Sequence, residues 1–252
     1  MMRSVTTAAA AGLAAMLAFG APASAADIRV LSTNALKTSL EALMPQFEKA
    51  TEHKVVFVWG PAANLKTQIE KGEAFDATIL TTAGIDDLVK QGKLDGATRT
   101  PLARSGIGVA VRKGASRPDI STTEAFKRAL LSANSVTYVE QGASGIYLKD
   151  LFVRLGIADA LKPKLKLAPT AAAEFVASGE AEIGMTQISE ILPVAGADLV
   201  GPLPADIQNY TDFATAAGTS AKQSDAARSL IRFLATPDAA RVMKAKGLEP
   251  SN

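Results

Sequence analysis

The sequence has no cysteine, which excludes disulfides, thiolate metal sites, a cysteine nucleophile and a lipid anchor attached through cysteine. Its single histidine, His53, sits between Glu52 and Lys54 on what reads as an exposed helix-to-strand turn. A Ser-His-Asp triad would have to use that residue, and a multi-histidine zinc site cannot be built. Excess charge is also missing: 27 lysines and arginines face 25 acidic residues, so nothing electrostatic points to nucleic acid or an anionic membrane as partner. Past the first 25 residues no apolar run reaches the ~18 residues that a membrane span needs. Internal repeats and low-complexity tracts are absent there too.

What is present begins with a leader. Met1–Ala25 combines Arg3, an apolar run from Ala8 to Phe19 and small residues at Ala23-Ser24-Ala25, the pattern of a secretory signal peptide. A soluble periplasmic or secreted product is expected. It would be held together by its core alone, which 48% apolar residues make feasible.

The rest alternates strands and helices. Ile28–Ser32, Val55–Trp59 and Ala77–Leu80 are β-prone, and each leads into a helical pattern; the first presents Leu36, Leu40, Leu43, Met44 and Phe47 on one face. Such repetition predicts an α/β fold with helices over a sheet. Leu102–Arg112 reads as a strand crossing between lobes. The pattern then restarts: a helix over Thr122–Leu131, a strand at Val136–Val139, a helix over Ser144–Leu155, a strand at Lys164–Ala168, a helix over Ala171–Ala177 and a strand at Ile183–Thr186. After the Pro/Gly-rich Gly201–Pro204 come an extended run at Tyr210–Ala216 and two terminal helices, the second opened by Thr236-Pro237. The expected division is 26–104 with 208–252 as one lobe and 105–207 as the other.

Ligands of open α/β sheets bind beyond the carboxyl ends of the strands, where loops feed helix N-termini. Here those loops hold Thr33 and Asn34; Ala62, Ala63 and Asn64; Thr81 and Thr82; Ser144 and Gly145; Thr170; and Gln187. Hydroxyls, amides and glycines next to unpaired N–H groups suit an anion held without metal or cofactor. The same residue types are also ordinary helix caps. Arg104, at the start of the crossing strand, offers bidentate recognition of a carboxylate or else ends a solvated strand. Trp59 either walls a pocket or closes the core. The pair Gly106 and Gly108 lacks the third glycine and following helix of a dinucleotide site, and Gly60–Lys66 is not a phosphate-binding loop.

From Asp27 onward the order of motifs resembles the periplasmic molybdate-binding proteins, solute receptors of ABC transporters with a two-lobed type II fold. The stretches that carry the resemblance include Asn64-Leu65-Lys66-Thr67-Gln68-Ile69-Glu70-Lys71-Gly72, Asp76-Ala77-Thr78-Ile79-Leu80, Ser144-Gly145-Ile146-Tyr147, Gly179-Glu180-Ala181-Glu182-Ile183-Gly184 and Pro237-Asp238-Ala239-Ala240. The resemblance implies lobes with mixed sheets joined by two crossing strands, a small anion in the cleft, a membrane permease as partner, and a monomer. It places Asn34 or Ala35, Ala62 and Gln187 where that family holds its oxyanion with two serines and a tyrosine. With those hydroxyls replaced and Arg104 present, a carboxylate-bearing anion is the expected ligand. Periplasmic aconitate isomerases are similar to this family as well, and on that alternative Lys37, Glu140 and Glu190 are the candidate bases.

Overall fold

The computed structural model describes residues 25–251, so the expected leader lies outside the described residues apart from Ala25. β1 (Asp27–Thr33), α1 (Lys37–Thr51), β2 (Lys54–Gly60), α2 (Ala62–Glu70), β3 (Ala77–Thr81) and α3 (Thr82–Lys90) alternate and lead into the long β4 (Thr100–Arg112). Next come α4 (Thr123–Ser132), β5 (Val136–Thr137), α5 (Ala143–Arg154), α6 (Ala158–Leu161), α7 (Ala172–Ala177), β6 (Ile183–Gln187), α8 (Ile188–Ile191) and β7 (Ala197–Pro202). The chain ends with β8 (Tyr210–Ala217), α9 (Ser224–Leu234), α10 (Pro237–Ala245) and β9 (Glu249–Pro250).

Local chemistry sets the boundaries. Burial of Leu40, Leu43, Met44 and Phe47 along α1 follows their helical spacing. Gly72 and Gly156, at φ of 92° and 68°, supply the left-handed turns that stop α2 and α5. Thr236 caps α10 by accepting the Ala239 N–H at 3.2 Å, with Pro237 at the first helical position.

The sheet is mixed. β1 lies parallel to β2 and β3, and β8 runs antiparallel between β3 and β4. The partners of β4 then change: Thr100–Gly106 pairs with β8, whereas Ile107–Val111 pairs with β6 and Gly108–Arg112 with β7. β5 continues the second half by pairing parallel with β6. Each half of β4 thus pairs with a different set of strands. The chain crosses back through Leu203–Asn209, where the Gln208 side chain accepts the Ile107 N–H at 2.9 Å and donates to the Ile107 carbonyl at 3.0 Å.

In the first lobe α1, α9 and α10 cover one sheet face through Phe47, Leu230 and Met243, and α2 and α3 cover the other through Leu65, Ile69 and Leu88. In the second, Ile107, Val109 and Val111 pack against Phe126, Leu148 and Phe152, while Ala110 meets Ala173 and Ile191 on the reverse. Cover on both faces explains the unbroken apolar run of β4. Gly108 is part of that fit. A Cβ there would stand 2.8–3.0 Å from Leu199, Ile188 and Ile191, so glycine lets α8 lie directly on the strand.

Three expectations are corrected. Lys164–Ala168 forms no strand, because Pro163 draws its start into a 3-10 turn; only a single bridge, Leu165 to Val136, and two N–H bonds to the carbonyls of Val136 and Tyr138 remain. The strand expected at Val136–Val139 is only Val136–Thr137, and Ala197–Pro202, for which the sequence carries no expectation, is a strand whose pairing with β4 is offset by a bulge. His53 is buried, and its Nδ1 accepts the Ala26 N–H at 3.3 Å.

Candidate functional site

The carboxyl ends of β1, β2 and β6 and the segment after β5 converge on the cleft. A small inner cavity of about 20 Å³ lies there. The first lobe gives it Thr33, Asn34, Ala35, Pro61 and Ala62; the second gives Gly142, Ser144, Thr170, Thr186, Gln187 and Glu190. An outer compartment of about 500 Å³ shares Asn34, Thr170 and Glu190 with it and adds Lys37, Thr38, Trp59 and Ser189 among others. On another side, a more open recess of about 720 Å³ is bounded by Ala63, Lys66, Thr81, Thr82 and Tyr210.

The helix starts at the inner cavity are uncapped. α2 begins after Pro61 and α5 after Gly142, and neither residue places a side-chain acceptor on the first turn. Their leading N–H groups therefore have no partner within the helix, and the positive ends of two helix dipoles face the cavity. Glycine makes one of these approaches possible: a Cβ on Gly145 would stand 1.9 Å from the Val139 carbonyl oxygen. α3 differs, because Thr81 accepts the Gly84 N–H at 3.2 Å and so is a cap.

Side chains complete the setting. Asn34 donates to the Thr170 carbonyl at 3.3 Å, joining the lobes. Gln187 donates through Nε2 to Thr211 Oγ1 at 3.0 Å, while its buried Oε1 has no partner among the described residues. Among the described residues that bound the inner cavity, Glu190 is the one with an ionisable side chain. Burial pushes its carboxyl above the usual carboxylate range, against the opposing pull of hydrogen bonds from the Thr186 hydroxyl and the Gln187 N–H.

Thr33, Asn34, Ala62, Ser144, Thr170, Gln187 and Glu190, named from the sequence, meet around this cavity. Ala63, Thr81 and Thr82 lie at the open recess, and Lys37 bounds the outer compartment. Gly145 supports the α5 turn from below, and Asn64 faces outward. Arg104 is corrected: β9 draws its guanidinium to Glu249, with Nε at 3.1 Å and Nη2 at 2.9 Å, and it stacks 4.5 Å from the Tyr210 ring centre. Glu140 pairs with Lys149 at 3.4 Å instead of facing the cavity. Trp59 proves to be a wall of the outer compartment, stacked on Phe57 at 4.4 Å. Thr186 reads in the sequence only as the end of a strand and not as a site residue, although its place four residues before Glu190, across the β6–α8 junction, carries the signal.

Residues 28–249 match the family model of bacterial extracellular solute-binding proteins. The chain belongs to that family. Among the solute-binding proteins and their relatives, an aconitate isomerase from a Pseudomonas species is 33% identical over 249 residues, spanning 94% of this chain and 95% of that protein. The molybdate-binding protein ModA of Azotobacter vinelandii is 28% identical over 235 residues, covering 89% and 90% of the two chains. The solved periplasmic molybdate-binding protein of that organism superposes with a TM-score of 0.76 at 21% identity, over 89% of this chain and all (100%) of that one. The sulfate-binding protein SubI of Mycobacterium tuberculosis gives 0.72 at 17% identity, over 90% and 88%. The fold is therefore the two-lobed, ModA-like periplasmic binding fold.

Proposed function

We propose that this solute-binding protein captures a small carboxylate-bearing anion between lobes formed by 26–104 with 208–252 and by 105–207. The observation that carries the reading is the inner cavity, with two uncapped helix N-termini, neutral amides and hydroxyls, and space of about 20 Å³. A planar carboxylate head suits that volume. A tetrahedral oxyanion needs donors all round it, and Ala35 and Ala62 present methyl groups instead. The expected setting is the periplasm, with a monomer delivering its ligand to an ABC-type membrane permease. A thermal-shift panel tests this, since a ligand at ~100 times its Kd stabilises the native state by ~2.7 kcal/mol. Tricarballylate or citrate should raise the melting temperature; a rise with molybdate or sulfate alone would overturn the reading.

Glu190 favours a second reading, isomerisation of a tricarboxylate. A carboxyl with raised proton affinity beside a bound acid is suited to take a proton from carbon and return it elsewhere. The similarity to an aconitate isomerase supports the same direction. Trans-aconitate incubated in D₂O and followed by NMR decides it. Appearance of the cis isomer with the wild type, and its loss with Glu190→Gln, is the expected result; an unchanged spectrum at high protein concentration rules out catalysis.

A further inference from the structure

The outer compartment adjoins the inner cavity, with Asn34, Thr170 and Glu190 on the boundary of both, but is built differently. Lys37, the first residue of the 15-residue α1, bounds it with Thr38, and its ammonium has no hydrogen bond or ion pair among the described residues. The start of α1 is no open terminus, because the 3-10 turn Asn34–Leu36 runs into it and the Lys37 N–H donates to the Asn34 carbonyl, so the Lys37 side chain is what this wall offers. An unpaired cation on that wall favours a negative group there. Trp59 supplies a flat apolar wall beside it. The other charged groups around the compartment are Glu41 on α1, Glu174 on α7 and Glu190 on α8. Glu41 and Glu174 are exposed, as Lys37 is, so water and salt screen all three and only close contact distinguishes them.

We propose that the cleft reads two carboxylates of one ligand: the first in the inner cavity, the second at Lys37, with Glu190 beside the carbon chain between them. This rests on the carboxylate reading above and narrows it to di- and tricarboxylic acids. Lys37 is then the residue that separates such acids from monocarboxylates and from compact oxyanions. Placement of Glu190 where the compartments join puts its carboxyl next to the hydrocarbon portion of the ligand, not next to either charged end.

Isothermal titration calorimetry with tricarballylate tests the assignment on the wild type, Lys37→Gln, Lys37→Arg and the double variant Lys37→Gln/Glu41→Gln. Lys37→Gln should weaken binding by about tenfold or more, equivalent to ~1.4 kcal/mol. Lys37→Arg should recover most of that affinity. The double variant leaves the formal charge of the compartment as in the wild type, so it separates a local contact from a general field. Retention of the loss in the double variant supports a carboxylate held at Lys37; full recovery overturns it. Equal binding by the wild type and Lys37→Gln also overturns it while leaving the carboxylate reading intact. No binding of any carboxylate by the wild type would remove both. Lys37 is exposed, and unchanged thermal unfolding of the variants verifies that the fold is retained.

Discussion

Asn34 and Thr170 are 136 residues apart in sequence, yet the Asn34 side-chain amide donates to the Thr170 carbonyl oxygen at 3.3 Å across the cleft. This bond exists only while the lobes are together. Loss of a neutral hydrogen bond of this kind costs about 0.5–1.5 kcal/mol, which is comparable with the free-energy differences that govern domain closure.

Asn34→Ala should therefore favour the open form of the unliganded protein. Small-angle X-ray scattering is expected to give a larger radius of gyration for the variant without ligand, and calorimetry a ligand affinity lower by about three- to tenfold. An identical radius in both proteins would show that this bond has no part in closure.

Glu190 makes stability depend on pH with a definite sign. Its carboxyl binds a proton more tightly in the folded protein than in the unfolded chain, because burial disfavours the charged form. Between the unfolded value and the raised folded value the native state holds more protons, so stability falls as pH rises through that window. Glu190→Gln should remove this fall and make the variant more stable than the wild type above it. Urea unfolding across the acid-to-neutral range is the measurement, and parallel pH profiles for the two proteins would contradict the assignment.

Arg104 shows what a linear reading cannot supply. The sequence places it at the entry to the cleft, but its partner Glu249 lies 145 residues away, on a two-residue strand with no pattern of its own. That contact turns the side chain out of the site. By contrast, the uncapped starts of α2 and α5 are legible in Pro61 and Gly142, which have no side-chain oxygen to offer, and α8, which follows β6 directly, delivers Glu190 as its position suggests. The alternation of strands and helices was readable because each helix buries one face. β7 was not, because its residues are half exposed and its Gly201-Pro202 end has the composition of a linker.

Arg104→Ala should accordingly leave ligand affinity within about twofold, since a partly exposed pair outside the cavities contributes at most ~1 kcal/mol, and to folding rather than to binding. A tenfold loss measured by calorimetry would return Arg104 to the binding site.

Gly145→Ala addresses the seating of α5. Its new methyl group would overlap the Val139 carbonyl oxygen at 1.9 Å, and since that atom is backbone, the helix start must move. Overpacking of this kind costs about 1–3 kcal/mol. Denaturant unfolding should show that loss together with weaker ligand binding, because Ser144 shifts with the turn. Wild-type stability in the variant would mean that the turn relaxes without cost.

Ser144→Glu separates folding from capture most directly. Ser144 is buried at the first turn of α5, where a negative charge is favourable to the helix, so the second lobe should fold normally. With the lobes together, however, the longer side chain would have to enter a space of about 20 Å³ already bordered by Glu190. Two carboxyl groups in that volume repel each other, and the new one occupies the place of the ligand's head. The variant should keep the far-UV circular dichroism of the wild type, lose detectable tricarballylate binding, and scatter as an expanded molecule with or without ligand. Wild-type affinity in this variant would exclude the inner cavity as the anion site.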